Sequence, residues 1–402
     1  MPNALPSTAI CPPTQRQIHC DIFCAIVDNF GDAGVCWRLA QQLAVEYDWQ
    51  VRLWIDQPAL LDLLAPNHQA GKVKVCPWSA DFSSQNLAMP DVVIEAFACT
   101  LPNAYLSAMA QRERQRNHPP VWLNLEYLSA ENWVGDMHGL PSPHPRLPLV
   151  KHFFFPGFDG CSGGLLRETD YDTRRLAFDA AAFRAEFGLP EKAPGKLPSR
   201  ELTISLFSYP SAPIAQLIQA LSRSPYPIHL LLPGSRDAAF TQGALSTHPL
   251  PFLPQARFDE ILWASDVNFV RGEDSFVRAQ WAGKPFVWQI YPQDDAAHRI
   301  KLDAFLARHC FAVGNNDKKV DAPRGLSSEP ADNTAHNTAH NPAHASLYQF
   351  WHAWNGQGEI NWSDFAAALP EISLITQNWQ KTLMKQPHLA ENLVQFCLER
   401  LK

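Results

Sequence analysis

Asp21-Ile-Phe-Cys-Ala-Ile-Val27, running directly into Asp28-Asn-Phe-Gly-Asp-Ala-Gly34 and then Val35-Cys-Trp-Arg-Leu-Ala-Gln-Gln-Leu-Ala44, is the stretch that decides the fold. The first seven residues are a nearly continuous apolar run, the pattern of a parallel strand covered on both faces. The next seven read as a turn, and Trp37, Leu39, Ala40 and Leu43 then recur at helical spacing. Strand, turn and helix together make the first unit of a doubly wound α/β sheet, in which ligands bind at the carboxyl ends of strands. Further strands are expected at Gln50–Ile55, Asp91–Phe97 and Pro120–Glu126, with a helix over Pro58–Leu64. Asp28, Glu95 and Glu126 fall at or near strand ends.

The pattern then repeats. Residues 191–200 are rich in Pro, Lys and Gly and read as a linker. After them come strands at Leu202–Ser208, Tyr226–Leu232, Val267–Val270 and Pro285–Ile290, with helices over Ala212–Ser222, Phe258–Ser265, Ser275–Ala282 and from about Asp294. Two Rossmann-like domains facing each other across a cleft are therefore expected, at 19–190 and 201–370. A loose arm at 1–18 precedes them and bracing helices at 371–402 follow. Within the second domain, 321–345 is low in complexity. Its tandem Asn333-Thr-Ala-His, Asn337-Thr-Ala-His and Asn341-Pro-Ala-His has too little apolar surface to offset ordering entropy, so a disordered insertion is expected, not a metal trap of His336, His340 and His344.

A length of 402 residues suits two cores, and 46% hydrophobic with 18% charged residues is ordinary globular composition. A net charge of −7 without a Lys/Arg stripe argues against nucleic acid as a partner. Neither a signal peptide nor an apolar run of membrane-spanning length is present, so a cytoplasmic protein is expected. Nine Cys without a Cys-x-x-Cys pair read as buried free thiols.

Three groups of residues can carry chemistry. Asp28 and Asp32 flank Asn29, Phe30 and Gly31 in the first turn. Paired carboxylates there would repel a phosphate and attract a cation or a proton, although a helix cap made by Asp32 and a turn tied by Asp28 would use the same residues. Only Gly31 and Gly34 of a dinucleotide fingerprint are present, so NAD is poorly supported. In Phe269-Val-Arg-Gly-Glu273-Asp-Ser275, Arg271 can grip a phosphate while Ser275 and the first-turn amides of the next helix meet its other oxygens, and Glu273 and Asp274 can accept from hydroxyls. The same residues could instead form a capping box with a surface ion pair. Phe207, Tyr209, Phe252 and Phe258 could sandwich a base whose edge Gln255 reads, or simply fill a core. Gln293-Asp294-Asp295 places two adjacent carboxylates at a helix start, which rarely converge on a hard cation, so no metal is expected.

Together these blocks resemble the bacterial protein-arginine rhamnosyltransferases that modify elongation factor P. The resemblance rests on Val27-Asp-Asn-Phe-Gly-Asp with Trp37-Arg-Leu39, on Leu125-Glu-Tyr-Leu-Ser-Ala-Glu131, and on Arg271–Gln280 through Ala282-Gly-Lys-Pro-Phe286 and Ile290-Tyr-Pro-Gln-Asp294. It implies a GT-B fold, dTDP-β-L-rhamnose as donor, and inverting transfer to an arginine of elongation factor P without a cofactor. By position, Asp28, Asp32 and Glu273 match essential carboxylates, and Phe207, Tyr209, Phe252, Gln255, Phe258, Arg271, Asp274 and Ser275 match donor-binding positions. Asp32, deeper in the turn, is the expected base and Asp28 the orienter. The competing expectations are a GT-B transferase of saccharide or lipid and a non-catalytic nucleotide-binding module; the lack of a membrane-facing amphipathic helix counts against lipid.

Overall fold

The computed structural model describes residues 17–28, 30–79, 81–83, 87–97, 99–116, 119–191, 201–292, 297–311 and 341–401. Asn29, the Gln293–Asp295 motif, His336 and His340, nearly all of the 1–18 arm and most of the 321–345 insertion lie outside these residues.

The first sheet holds β1 (His19–Cys24), β2 (Gln50–Ile55), β3 (Lys74–Pro77), β4 (Val92–Ala96), β5 (Val121–Leu125), β6 (Pro141–Pro143) and β7 (Val150–Phe154). Their order is β3-β2-β1-β4-β5-β7-β6, and every pairing except β6 with β7 is parallel. The second sheet holds β8 (Leu202–Leu206), β9 (Ile228–Pro233), β10 (Thr241–Gln242), β11 (Leu245–Leu250), β12 (Val267–Arg271) and β13 (Phe286–Gln289), ordered β10-β11-β9-β8-β12-β13. In each sheet the strand order reverses beside the first strand, between β1 and β4 and between β8 and β12. Chain crossovers leave in opposite directions at such a switch point and open a crevice over the strands' carboxyl ends. Two Rossmann-like sheets whose switch points face one cleft make a GT-B-like fold.

The helices are α1 (Phe30–Glu46), α2 (Ala59–Leu64), α3 (Asn103–Arg116), α4 (Trp133–Met137), α5 (Tyr171–Ala177), α6 (Ala180–Glu186), α7 (Ile214–Ser222), α8 (Gln255–Ala264), α9 (Asp274–Ala282), α10 (Ala297–Phe311), α11 (Pro342–Trp354), α12 (Trp362–Leu383) and α13 (Leu389–Arg400). Among the described residues, no helix is long and apolar enough to cross a membrane.

Packing draws the units differently from composition. Leu128, Phe158, Leu165 and Tyr171 belong to the core of the second sheet, and Phe183 and Leu189 pack with Leu231, Leu250 and Ile261. The chain thus crosses to the second unit well before the Pro- and Lys-rich stretch at 191–200. At the other end α12 runs unbroken through residue 371 and buries Phe365, Leu369 and Trp379 in the second core. α13 returns to bury Leu389, Leu393, Val394 and Cys397 in the first. The insertion expected to reach 345 ends earlier, because Asn341 caps α11 by accepting from the amides of Ala343 and His344, and Pro342 suits the first helical position. Ile18, assigned to the arm, is buried in the first core, and its carbonyl accepts from Gln50. Cys20, Cys24, Cys36, Cys76, Cys99, Cys310 and Cys397 are buried free thiols, whereas Cys161 is exposed.

Candidate active site

The first sheet contributes two carboxylates through one turn. α1 begins at Phe30, five residues sooner than the apolar spacing suggests, so Asp32 and Gly34 stand inside its first turns. Asp32 reaches back, and its Oδ2 accepts the amide hydrogens of Val27 and Asp28, both at 2.8 Å. These bonds close the strand-to-helix turn. Gly31 is needed beside it, since a Cβ there would lie 2.6 Å from Oδ2 of Asp28. Asp28 is directed across the cleft, where its Oδ2 accepts the Tyr209 hydroxyl at 2.5 Å.

The second sheet contributes its residues at the ends of β8 and β12. The Tyr209 amide donates to Gln289 Oε1 at 2.7 Å, which fixes the segment after β8. Gly272 follows β12 with φ of 59°, and a Cβ at that position would run into both the Asp28 carboxylate and the Tyr209 hydroxyl. Only glycine adopts that backbone without cost and leaves the space open.

Two cavities meet at Asp28. One, of about 640 Å³, is lined by Phe207, Phe252, Phe258 and Arg271, with Asp274 and Ser275 at the start of α9; Phe30 and Leu64 of the first unit form its far wall. The Arg271 guanidinium lies 4.4 Å from the Phe207 ring centroid and 4.7 Å from that of Tyr209, held in place by cation–π attraction. Phe30 and Phe252, one from each unit, pack directly on each other in the cavity lining, with 5.2 Å between centroids. The amides opening α9 have no intrahelical partners and carry the positive end of the helix dipole, and Arg271 adds a full charge, so this cavity favours an anion.

Two of the expected donor contacts are otherwise engaged. The Ser275 hydroxyl donates to the Arg271 carbonyl at 2.6 Å and accepts the Arg271 amide hydrogen at 3.0 Å, so it ties α9 to β12. Gln255 opens α8 and does not sit in a loop; its Nε2 donates to the Gly34 carbonyl and to Asp274 Oδ2, both at 2.9 Å. Both residues still line the cavity, but their side-chain donors already have partners.

The other cavity, of about 760 Å³, is lined by Asp28, Asp32 and Glu273, with Tyr127, Tyr291, Trp288 and Lys301 around them. Burial pushes Asp28 up to about 6, helped by the charge of Asp32 and opposed by the Tyr209 hydrogen bond and by Arg271. Burial also raises Asp32, against the bonds from the Asp28 and Val27 amides and the Tyr127 hydroxyl. Glu273, whose Oε2 accepts the Leu128 amide hydrogen at 2.9 Å, is pushed up to about 8 by desolvation, with the charge of Asp32 adding to it. Three acids that resist ionisation together form a site where an incoming cation is favoured. Burial, and then the charges of Asp32, Glu273 and Asp28, hold the Tyr127 phenol far above its usual range, so it remains a donor.

Glu95 and Glu126 line neither cavity: Glu95 accepts from Lys151 Nζ at 2.8 Å, and Glu126 from Asn124 Nδ2 at 2.5 Å. Sequence reasoning gave no role to Tyr127, Tyr291, Trp288 or Lys301. Tyr127 was within reach, since it stands two residues past β5, where the strand-end rule that selected Glu126 also applies. Among the described residues, no group of three or more His, Cys, Asp or Glu is arranged to hold a metal ion.

The chain is similar to known proteins over most of its length. The family model described as elongation factor P (EF-P) rhamnosyltransferase EarP matches residues 20–322 and 332–398. A protein-arginine rhamnosyltransferase of Pseudomonas putida is 41% identical over 401 residues, covering 94% of this chain and 97% of its own. That of Pseudomonas aeruginosa is 39% identical over 411 residues, covering 95% and 99%. A solved structure, reported as the structural basis for EarP-mediated arginine glycosylation of translation elongation factor EF-P, is 30% identical with a TM-score of 0.60, covering 95% of this chain and 99% of its own. The chain is alike to these proteins over about 95% of its length, and it belongs to the family of EF-P rhamnosyltransferases, the protein-arginine rhamnosyltransferases.

Proposed function

We propose that the chain transfers L-rhamnose from dTDP-β-L-rhamnose to a guanidinium nitrogen of one arginine on elongation factor P, with inversion at the anomeric carbon and without a metal. The observation that carries this reading is the meeting of the two cavities at Asp28, one suited to a diphosphate and the other lined by Asp28, Asp32 and Glu273. The thymine ring takes the aromatic part of the first cavity, and the diphosphate lies toward Arg271 and the first turn of α9. The rhamnosyl group then sits at the junction and the acceptor arginine enters the second cavity from the side of the first sheet. Since translation factors work in the cytoplasm, the protein works there too.

A guanidinium is protonated and a poor nucleophile at neutral pH, so the site must localise its charge and take a proton as the bond forms. Asp32 is the base. Its Oδ2 is held by two backbone amides, so its orientation is fixed before the acceptor arrives. Asp28, tied to Tyr209, orients the arginine fork. Glu273 faces the same space and supplies further negative charge once the cation lowers its affinity for its own proton. As the nitrogen bonds to the anomeric carbon from one face, the carbon–oxygen bond to the diphosphate breaks on the other. The bonding pair leaves with dTDP, whose charge Arg271 and the α9 amides stabilise, and the nitrogen's proton passes to Asp32.

The test is intact-mass analysis of elongation factor P after incubation with the protein and dTDP-β-L-rhamnose. The reading expects one added deoxyhexose residue, mapped by fragmentation to a single arginine. An unmodified factor alongside turnover of another acceptor would reject it.

A further inference from the structure

α1 belongs to the first unit, yet one of its faces meets the second unit at the nucleotide cavity. Gly31, Gly34 and Arg38 lie along that face at intervals of three and four residues. The Gly34 carbonyl accepts from Gln255 Nε2, and a Cβ on Gly34 would come within 3.0 Å of both Gln255 Nε2 and Asp274 Oδ2. One turn on, Arg38 is 6% exposed and uses its whole fork. Nε donates to Asp274 Oδ1 at 2.7 Å, Nη1 to Glu168 Oε1 at 3.0 Å, and Nη2 to the Gln255 carbonyl at 3.4 Å.

The partners continue the chain of charges. Glu168 Oε2 accepts from Arg278 Nη1 at 2.7 Å, and Arg278 in turn grips both oxygens of buried Asp259 at 2.8 and 2.5 Å. Although burial opposes it, Arg278 and Arg38 hold Glu168 well below the ordinary carboxylate range. Asp259 is on α8 and Arg278 on α9, the two helices whose first residues, Gln255 and Asp274, line the nucleotide cavity. Asp274 has one oxygen on Arg38 and the other on Gln255. Its position in the cavity is therefore set by a guanidinium from the opposite unit.

We infer that Arg38 is a positioning residue for the donor: by clamping Asp274 and the start of α8 from across the cleft, it couples closure of the two units to the shape of the nucleotide cavity. The inference rests on the proposal that this cavity holds the nucleotide. Arg38 touches neither cavity, so its effect passes through Asp274 and Gln255. A neutral replacement leaves Asp274, partly buried, with Gln255 but without its cation, while Glu168 keeps Arg278 and Arg174; the start of α9 then loses the tie that fixes it against the first unit.

Titration calorimetry with dTDP on wild type, Arg38→Gln, Arg38→Lys, Asp274→Asn and the Arg38→Gln/Asp274→Asn double variant tests this, with a thermal melt of each. Arg38→Gln is expected to weaken dTDP binding and raise the donor KM about tenfold, with a smaller change in kcat at saturating donor. Arg38→Lys, which retains the charge without the fork, recovers part of that loss. In the Asp274→Asn background, Arg38→Gln adds less than about twofold, because the two act as one unit. Arg38→Gln binding dTDP as wild type does, or losses that simply multiply in the double variant, would overturn the inference and leave the nucleotide assignment standing. Should Arg38→Gln not fold, Arg38→Lys decides: a lowered melting temperature with unchanged dTDP affinity reduces Arg38 to a structural tie. A wild-type chain that does not bind dTDP overturns both the inference and the nucleotide assignment.

Discussion

The two cavities share a wall and have opposite chemistry. On the Arg271 side, aromatic rings, a guanidinium and the amides of a helix start await an anion; on the Glu273 side, three acids hold their protons unusually tightly. In the proposed reading, the contrast lets one cleft bind an anionic leaving group and a cationic nucleophile without either being drawn into the other's place. Asp28 belongs to both cavities, and Tyr209 and Gly272 shape its position from the opposite unit. Catalysis needs the two halves brought together, and their chemistry keeps their ligands apart.

The sharpest way to break this contrast is to change one side and measure the other. Asp32→Asn is expected to lower kcat by about 10²–10⁴, the range of a lost general base, while dTDP affinity stays within about twofold. Arg271→Ala is expected to weaken dTDP binding and also to slow transfer, since Arg271 stabilises the departing diphosphate, whereas Asp32→Asn leaves binding nearly intact. Losing a charge-assisted contact worth about 1.5–3 kcal/mol weakens dTDP binding about 10- to 100-fold. Phe252→Ala, which removes a stacking face, costs roughly tenfold. Paired dTDP titrations and single-turnover rates read both sides. If Asp32→Asn weakened dTDP as severely as Arg271→Ala does, the cavities would not be separate compartments.

The fold was legible where a local pattern decided it. The apolar run of β1, the acids after it and the Arg271-to-Ser275 strand-to-helix turn are short-range signals, and the two parallel sheets follow from them. Contacts between the units were not legible. Tyr209 and Asp28 are 181 residues apart and Arg38 and Asp274 are 236 apart, and no periodicity links them. Helix α1 begins early because the Asp32 carboxylate satisfies the turn's amides, an effect that a search for apolar spacing overlooks. β11, with Pro249 in it, and the two-residue β10 carry weak strand signals at a sheet edge. Residues such as Phe158, Tyr171 and Phe183 fall in the first unit by composition but pack in the second, because a Pro- and Lys-rich stretch marks a change along the chain and not which core a side chain joins.

The pH profile sharpens the role of the shared residue. In the proposed reading Asp28 must be ionised to hold the acceptor's cationic fork, so kcat/KM should fall as pH drops through about 6. The Tyr209 hydrogen bond lowers the Asp28 pKa, so Tyr209→Phe should move that acid limb to higher pH. Rates measured from pH 5 to 9 on both proteins decide this; a limb that stays in place would show that another group controls it.

The smallest expected effect concerns stability, and its sign comes from the acid side alone. Glu273 releases its proton near its ordinary value of 4.5 when unfolded but near 8 when folded. Between those values the native state retains a proton that the unfolded chain gives up, so rising pH favours unfolding across that window. Above about 8 the full cost of an ionised Glu273 is present; below about 4.5 it is gone. Glu273→Gln keeps an oxygen to accept the Leu128 amide hydrogen and removes the charge. It should raise the melting temperature on the order of 2–4 °C at pH 8, with the gain shrinking as the pH falls toward 4.5, while transfer slows. No comparable gain is expected from Arg271→Ala, since Arg271 already rests on two aromatic faces. A Glu273→Gln protein that melts lower than wild type at pH 8 would mean that the carboxylate is stabilised by a partner, and the acid side would lose the strain that prepares it for a cation.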